Sequence, residues 1–279
     1  MNVFRKFSTT VATILLALSA PLAWAQSQPV QVSISGNTAT ATIGEPLQPL
    51  AEVILEFENP GALTASSLGI SANLVSVSDP ALLARLPDAQ LNQLAGAFPL
   101  LVTIEPPSTG GLKFRTVRVQ IHTHALVYSI GSSYRLFKAP LNGDFTDITD
   151  EIAKGSMRAN GTTGGFSQFL VLTDLRDTRT VVASKIQNVR ARVDALPVAE
   201  RDAFEALVSE LQANVDSAQY DAAIAGARQL AQRARARADT GAIADEWRAT
   251  RDVPNLAGDL IAAASSLEFS IAYLRDFGQ

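Results

Sequence analysis

The pattern of apolar and polar residues changes its period near Asp174. Before this point, short apolar runs alternate with polar residues and end at glycine, proline, asparagine or aspartate, as in Val30–Ile34 and the turn Gly36-Asn37. Many short strands at this spacing are typical of two packed antiparallel sheets. After it, apolar residues recur every three or four positions, the period of an amphipathic helix. The pattern predicts a segregated α+β chain, with an antiparallel β-sandwich at 28–175 and an antiparallel four-helix bundle at 177–279.

Four apolar stripes define the predicted helices, and the short links between them favour antiparallel neighbours. The stripes or segments cover residues 182–196, 204–215, 219–238 and about 254–277. The last predicted helix carries apolar residues beside its main stripe, among them Phe269 and Tyr273. We expect this extra apolar face to meet a partner protein or a second copy of the chain.

One helical insertion is predicted inside the sandwich, near residues 79–96. Asp79-Pro80 resembles a helix N-cap followed by proline at the first helical position. Leucines then recur at broadly helical spacing up to Leu94. Pro87 is expected to divide the insertion into two short helices.

The first 25 residues have the layout of a secretory signal peptide. Arg5 and Lys6 precede the apolar run 11–20, and Ala23-Trp24-Ala25 offers small residues at the two positions that a signal peptidase reads. The apolar run is shorter than a helix that crosses a bilayer. We therefore expect export with cleavage near Ala25, and a mature protein in the periplasm or outside the cell.

Composition removes several classes of function. The chain has no cysteine, which excludes disulfides, thiolate metal sites and a cysteine nucleophile. Its net charge is −4, whereas a nucleic-acid-binding protein carries a surface of clustered positive charge. After the predicted signal peptide, the best candidate for a membrane span, 256–274, is interrupted by Asp259 and Glu268. We expect no cofactor, no nucleic-acid partner and no transmembrane segment in the mature chain.

Three segments of the first half resemble the closing strands of a β-sandwich found in exported bacterial proteins and, more distantly, the autoproteolytic sandwiches of the netrin-receptor and GAIN type. They are 134–138 (YRLFK), 145–149 (FTDIT) and 164–169 (GGFSQF). Those autoproteolytic domains cut their backbone before a serine or threonine that follows a histidine–hydrophobic pair. The resemblance makes Ser167 the candidate nucleophile. Gly165 stands where the histidine would be, and without that base the hydroxyl is not activated.

The helical half resembles the FIMAH type of helical module, which occurs at the ends of large exported bacterial proteins. The shared features are the alanine-rich segment 222–238 and the spacing of Leu260, Ile261, Ala264 and Leu267. Taken together, the two resemblances imply a non-catalytic module of a sandwich and a helical bundle that acts at the cell exterior.

Two groups of residues are candidate metal ligands. His122 and His124 would point to the same face of a strand, which suits a shared metal if a neighbouring strand adds a carboxylate. A polar outer face without metal is the favoured interpretation. Asp144 and Asp147 belong to an acidic loop whose oxygens suit calcium. A solvated turn is the favoured interpretation there.

Arg233 and Arg237 lie one helical turn apart and share a face of the third predicted helix. Such a pair suits an anionic partner, and the alternative is an ordinary solvated helix face. With Phe269 and Tyr273, these arginines are the candidate interaction surface, for another envelope protein or for a second copy of the chain.

The leading hypothesis is an exported, non-enzymatic binding or scaffolding protein of the cell envelope. The alternatives are a β-sandwich that cleaves itself before Ser167 and a metal-binding module that uses His122 and His124. No serine-hydrolase elbow and no phosphate-binding glycine loop supports another enzyme class.

Overall fold

The computed structural model describes residues 26–278, so the predicted signal peptide lies outside the described residues. The strands in chain order are β1 (Gln26–Gln28), β2 (Val30–Ser35), β3 (Thr38–Glu45), β4 (Gln48–Glu58), β5 (Ile70–Leu74), β6 (Asn92–Leu94), β7 (Leu100–Ile104), β8 (Lys113–Phe114), β9 (Thr116–Val127), β10 (Tyr134–Ala139), β11 (Thr146–Asp147), β12 (Thr149–Ala153), β13 (Ser156–Thr163), β14 (Gln168–Asp174) and β15 (Trp247–Arg248). The helices are α1 (Pro80–Leu83), α2 (Thr178–Asp194), α3 (Val198–Asp216), α4 (Tyr220–Asp239) and α5 (Leu256–Phe277).

Two antiparallel sheets face a common core. The first has the order β1-β5-β7-β14-β10-β11, with β6 also pairing with β14, and the second has the order β12-β13-β9-β4-β3-β2. Inward side chains of both sheets, such as Val102 and Phe169 of the first and Val53 and Val119 of the second, are fully buried in one cluster. The predicted antiparallel sheets are confirmed, and their sandwich-like packing places every second residue of each strand inside.

The C-terminal part is helical, as predicted. Helices α2 to α5 share a second apolar core, in which α5 contacts both α2 and α4, and α3 contacts α4 and α2. The buried face of α4 is largely alanine, for example Ala227 and Ala234, so the neighbouring helices approach it closely. Among the helices of residues 26–278, none combines the length and apolar content needed to cross a bilayer.

The predicted helical insertion near 79–96 is wrong in extent. Helix α1 covers one turn only, and residues 92–94 form strand β6, which pairs with β14. The second predicted helix does not form after Pro87, because there the side chain of Asp88 accepts hydrogen bonds from the backbone N–H groups of Gln90 and Leu91. The amide of Asn92 then donates to Asp174 at 2.9 Å and fixes the strand in place.

The sheets and the helices are joined over a wide contact. Helix α5 packs on β13, β12 and β9, so one side of it covers the second sheet while the other side enters the helical core. The link between α4 and α5 also returns to the sheets, where β15 pairs with β8 and Trp247 stacks on Phe114 with ring centroids 4.8 Å apart. The extra apolar face predicted for a partner is therefore used largely within the chain.

Candidate functional site

A cavity of about 320 Å³ lies where β10 and the chain that follows it meet α2 and α5. Its walls come from elements far apart in sequence. They include Lys138 of β10, Thr163 of β13, Lys185, Asn188 and Arg192 of α2, and Asp259, Ala262, Ala263 and Ser266 of α5. Two neighbouring cavities share some of these walls, Lys185 with one and Lys138 with the other. Three adjoining cavities thus lie at the joint between the sheets and the helices.

Lys185 connects the helices to the first sheet at this joint. Its Nζ forms an ion pair with Oδ2 of Asp147 at 2.7 Å and donates to Oγ of Ser266 at 2.6 Å, linking α2, β11 and α5. Burial lowers the pKa of Lys185, and the adjacent Asp147 carboxylate opposes this effect. Burial alone would raise the pKa of Asp147, but the charges of Lys185 and Arg135 hold it below its usual value. The contacts of this pair lie within the chain.

Lys138 is a cation whose hydrogen-bonding capacity the described residues use only in part. Its Nζ donates to Oγ1 of Thr163 at 2.6 Å, and the Thr163 hydroxyl itself donates to the carbonyl of Gly165 at 2.8 Å. Within residues 26–278, Lys138 forms no ion pair. An ammonium group has three N–H donors, so two remain for a molecule in the cavity.

The surroundings of Lys138 lower its pKa to about 8. Burial is the largest cause; Asp259 works in the opposite direction, and the positive charges of Arg192 and Arg251 lower the pKa further. A negative charge placed beside the amine would favour its protonated form and relieve this cost. This preference for a negative charge is local to Lys138, because the cavity walls carry three basic and three acidic side chains.

The position of Asp259 depends on the docking of the α5 N-terminus. Asn255 caps the helix by accepting from the N–H of Gly258, and its amide donates to the carbonyls of Arg115 and Gly164. At Gly164 a Cβ atom would lie 2.6 Å from the backbone nitrogen of Asp259, so only glycine permits this approach.

The structure separates the candidate metal ligands into two places. His122 and His124 lie on β9, where His122 contacts Glu52 at 3.3 Å and the Ser156 hydroxyl at 2.6 Å. Asp144 and Asp147 line the cavity instead, and Asp147 is engaged by Lys185. No group of three or more histidine, cysteine, aspartate or glutamate side chains within residues 26–278 has a geometry that could hold a metal ion.

Ser167 is buried and its hydroxyl donates to Oε1 of Glu105 at 3.0 Å. Glu105 in turn pairs with Arg251. A Cβ atom at Gly165 would lie 2.8 Å from the indole ring of Trp247, which leaves no room for the histidine of the autoproteolytic motif. The absence of that histidine therefore has a packing reason.

The candidate interaction residues make contacts within the chain. Arg237 binds Glu200 of α3, with Nε 2.9 Å from Oε2, and the guanidinium of Arg233 lies 5.2 Å from the ring centroid of Phe204. Phe269 and Tyr273 are half-buried, and the Tyr273 hydroxyl donates to the carbonyl of Gly131 at 2.9 Å. These contacts join α3 to α4 and α5 to the sheets.

One family model matches residues 13–275 and carries the description "Family of unknown function (DUF6689)". The chain belongs to the DUF6689 family. No curated protein and no solved structure matches it. The family match covers both the sheets and the helices, so the joint with its cavity lies inside the matched region.

Sequence reasoning missed the cationic residues of this DUF6689 joint. Lys185 had a signal, because it lies between Val182 and Ile186 on the inner face of α2, where an apolar residue is expected. Lys138 had no such signal in the sequence, since it lies near the end of an ordinary strand pattern. It comes to line the cavity only because residues of α2 and α5 lie beside β10 in the fold.

Proposed function

We propose that this DUF6689 chain is an exported, non-enzymatic binding protein of the cell envelope, and that the cavity at Lys138 takes a small anionic ligand. The observation that carries the ligand site is the amine of Lys138, which lies at the wall of a cavity, bonds one neutral hydroxyl and forms no ion pair within the described residues. The signal-peptide layout of the first 25 residues carries the proposal of export.

An anion would complete the hydrogen bonding of Lys138. The hydroxyl proton of Thr163 is already directed to Gly165, so Thr163 accepts one N–H of the amine, and the other two have no acceptor among the described residues. Hydrogen bonds between an ammonium group and an anion are stronger than those between neutral groups. The side chain of Arg192 adds positive charge at the rim.

The size and walls of the cavity narrow the ligand class. A volume of about 320 Å³ is at the lower end of small-molecule sites. Ala262, Ala263 and Ile148 contribute apolar wall, while Asp259 contributes a carboxylate that disfavours a second negative charge. We infer a monoanion with a small apolar part, such as a short organic acid.

The helices have a structural role in this proposal. We propose that α2 to α5 act as an antiparallel four-helix bundle that holds α2 and α5 rigidly against the sheets. The shared core of the four helices supports this arrangement. Self-processing before Ser167 and metal binding at His122 and His124 have no comparable support in the described residues.

Native mass spectrometry on protein recovered from an exporting host tests the proposal. We expect a mature chain that starts at Gln26 and that binds a monoanion from a panel of acetate, lactate and benzoate. Lys138→Met should bind one anion fewer per chain than the wild type. Lys154→Met, at an exposed lysine, should bind the same number as the wild type. An unchanged number of bound anions in Lys138→Met would refute the ligand site, and an uncleaved chain in the cytoplasm would refute export.

A further inference from the structure

Arg135 is a buried guanidinium without a carboxylate partner. It lies on β10, is 6% exposed, and forms no ion pair within residues 26–278. Its Nη1 donates to the carbonyl oxygens of Ser132 and Tyr134, each at 2.7 Å. A buried charge normally requires a partner of opposite sign, so the incomplete pairing of Arg135 calls for an explanation.

Aromatic rings of α5 fix the plane of the Arg135 guanidinium. Its Cζ lies 4.1 Å from the ring centroid of Tyr273 and 5.1 Å from that of Phe269. Tyr273 is itself anchored, since its hydroxyl donates to Gly131. With the plane and the Nη1 end both held, the edge formed by Nε and Nη2 is the part of the group that donates to no described residue.

This edge has the geometry that recognises a carboxylate. The Nε–H and one Nη2–H of a guanidinium are parallel and match the two oxygens of a carboxylate. Because Nη1 is held by two backbone carbonyls, a bound carboxylate would complete the group without displacing a protein contact.

A cavity of about 220 Å³ adjoins Arg135. The hydroxyl-bearing residues Ser133, Thr178 and Ser270 also line it, and Ser270 is 3% exposed. The hydroxyl of Ser270 has no hydrogen-bond partner among the described residues, and it lies on the same helix as Tyr273. Thr178 is the first residue of α2, and the preceding residue, Asp177, caps this helix by accepting from the N–H of Thr180.

The one acidic residue among those that line the cavity is already paired. Asp174 accepts hydrogen bonds from Arg176 and from the side-chain amide of Asn92. Asp147, whose charge interacts with that of Arg135, is paired with Lys185. Among the charged residues that line this cavity, Arg135 is therefore the one without an ion-pair partner in the described residues.

We propose that this cavity binds a carboxylate through the Nε–Nη2 edge of Arg135, with the Ser270 hydroxyl as a second donor. The cavity shares no lining residue with the one at Lys138, so the two sites are independent. The same chemistry occurs in a free small acid and in the C-terminal carboxylate of a peptide. The small volume favours the free acid.

Proton–nitrogen NMR on the mature full-length protein tests this site. The probe is N-acetylglycine, and N-acetylglycinamide is the matched control that lacks the carboxylate. We expect the Nε–H signal of Arg135, assigned through bonds, to move downfield and saturate with the acid and to stay in place with the amide. Gly-Gly-Gly tests the peptide source, and we expect it to bind at least tenfold more weakly than N-acetylglycine.

Two variants of the site and one control variant complete the test. Arg135→Lys should weaken N-acetylglycine binding at least tenfold, because lysine cannot form the paired contact. Ser270→Ala should weaken it several-fold and keep the fold. Lys138→Met should leave the affinity measured at the Arg135 signal unchanged, which separates this site from the proposed function. The proposal would be overturned if the Arg135 signal moved equally with N-acetylglycinamide. It would also be overturned if Ser270→Ala and Arg135→Lys left the affinity for N-acetylglycine unchanged. Tight binding of Gly-Gly-Gly would overturn the assignment to a free acid.

Discussion

The Nζ atom of Lys185 lies 2.7 Å from Oδ2 of Asp147, and both side chains are almost completely buried. This pair connects the first long helix to a short strand of the first sheet. Ser266 of α5 joins it by accepting from Lys185 and donating to the carbonyl of Asp147. Three elements that are far apart in sequence thus meet at one ion pair.

Removing one member of this pair should lower the stability of the fold. Lys185→Met leaves the Asp147 carboxylate buried without its cation, and we expect a loss of about 3–5 kcal/mol in the free energy of unfolding. Arg190→Met, on the same helix, breaks a more exposed pair with Glu205 and should cost less than about 1 kcal/mol. Urea unfolding measures both values.

The double variant Lys185→Met with Asp147→Leu should recover much of that loss, because it leaves no uncompensated charge. Equal costs for Lys185→Met and Arg190→Met would contradict the role assigned to the buried pair.

Arg115 should be a second structural link between the sheets and the helices. Its side chain is 9% exposed and contacts Glu58 of β4, Asp239 at the end of α4 and Asp245 of the following link. Arg115→Met removes several charged hydrogen bonds, and we expect it to cost about 2–3 kcal/mol in urea unfolding.

The matched control is Lys113→Met, which breaks a largely exposed pair with Glu246 and should cost less than about 1 kcal/mol. An Arg115→Met variant as stable as this control would show that the cluster contributes nothing to the docking of α4.

The close approach at Gly164 predicts a steric effect. Gly164→Ala places a Cβ atom 2.6 Å from the backbone of Asp259, and the resulting displacement of α5 should cost about 1–3 kcal/mol. At Gly96 an added Cβ meets nothing within 4 Å, so Gly96→Ala should change stability by less than about 0.5 kcal/mol. Thermal unfolding of the two variants compares them; if both melted like the wild type, the tight contact would be refuted.

The regular elements could be predicted from local patterns. The alternation in Val30–Ile34 corresponds to strand β2, and the turn that follows it leads into β3. The last predicted helix, 254–277, is observed as Leu256–Phe277. Both follow because side-chain spacing along the chain matches the period of the structure.

The candidate site could not be predicted in the same way. Lys138 and Lys185 are joined to one cavity only by the packing of β10, α2 and α5, and no local spacing encodes that contact. The spacing of Leu91 and Leu94 suggested a helix, but the Asp88 side chain bonds the backbone and diverts the chain into a strand. The first case depends on residues that are distant in sequence, and the second on a local side-chain bond together with the pairing of β6 with β14.

The lowered pKa of Lys138 makes stability depend on pH in a defined direction. The folded amine titrates at about 8, below its value of 10.5 in an unfolded chain, so between these values the unfolded state binds more protons. The contribution of Lys138 to the free energy of unfolding therefore rises from pH 8 to pH 10. Lys138→Met should lack this rise in urea unfolding, whereas Lys154→Met should retain it. Identical slopes in the wild type and Lys138→Met would contradict the assignment.

The most direct test of the binding proposal is an NMR titration of Lys138, followed through the protons on its Cε atom. We expect a midpoint near pH 8 in the free protein, moving upward when a monoanion from the panel is added at saturation. Affinity for that anion should fall by up to about tenfold per pH unit above the free midpoint. A midpoint near 10.5 that no anion displaces would contradict the central claim that Lys138 binds a negative charge.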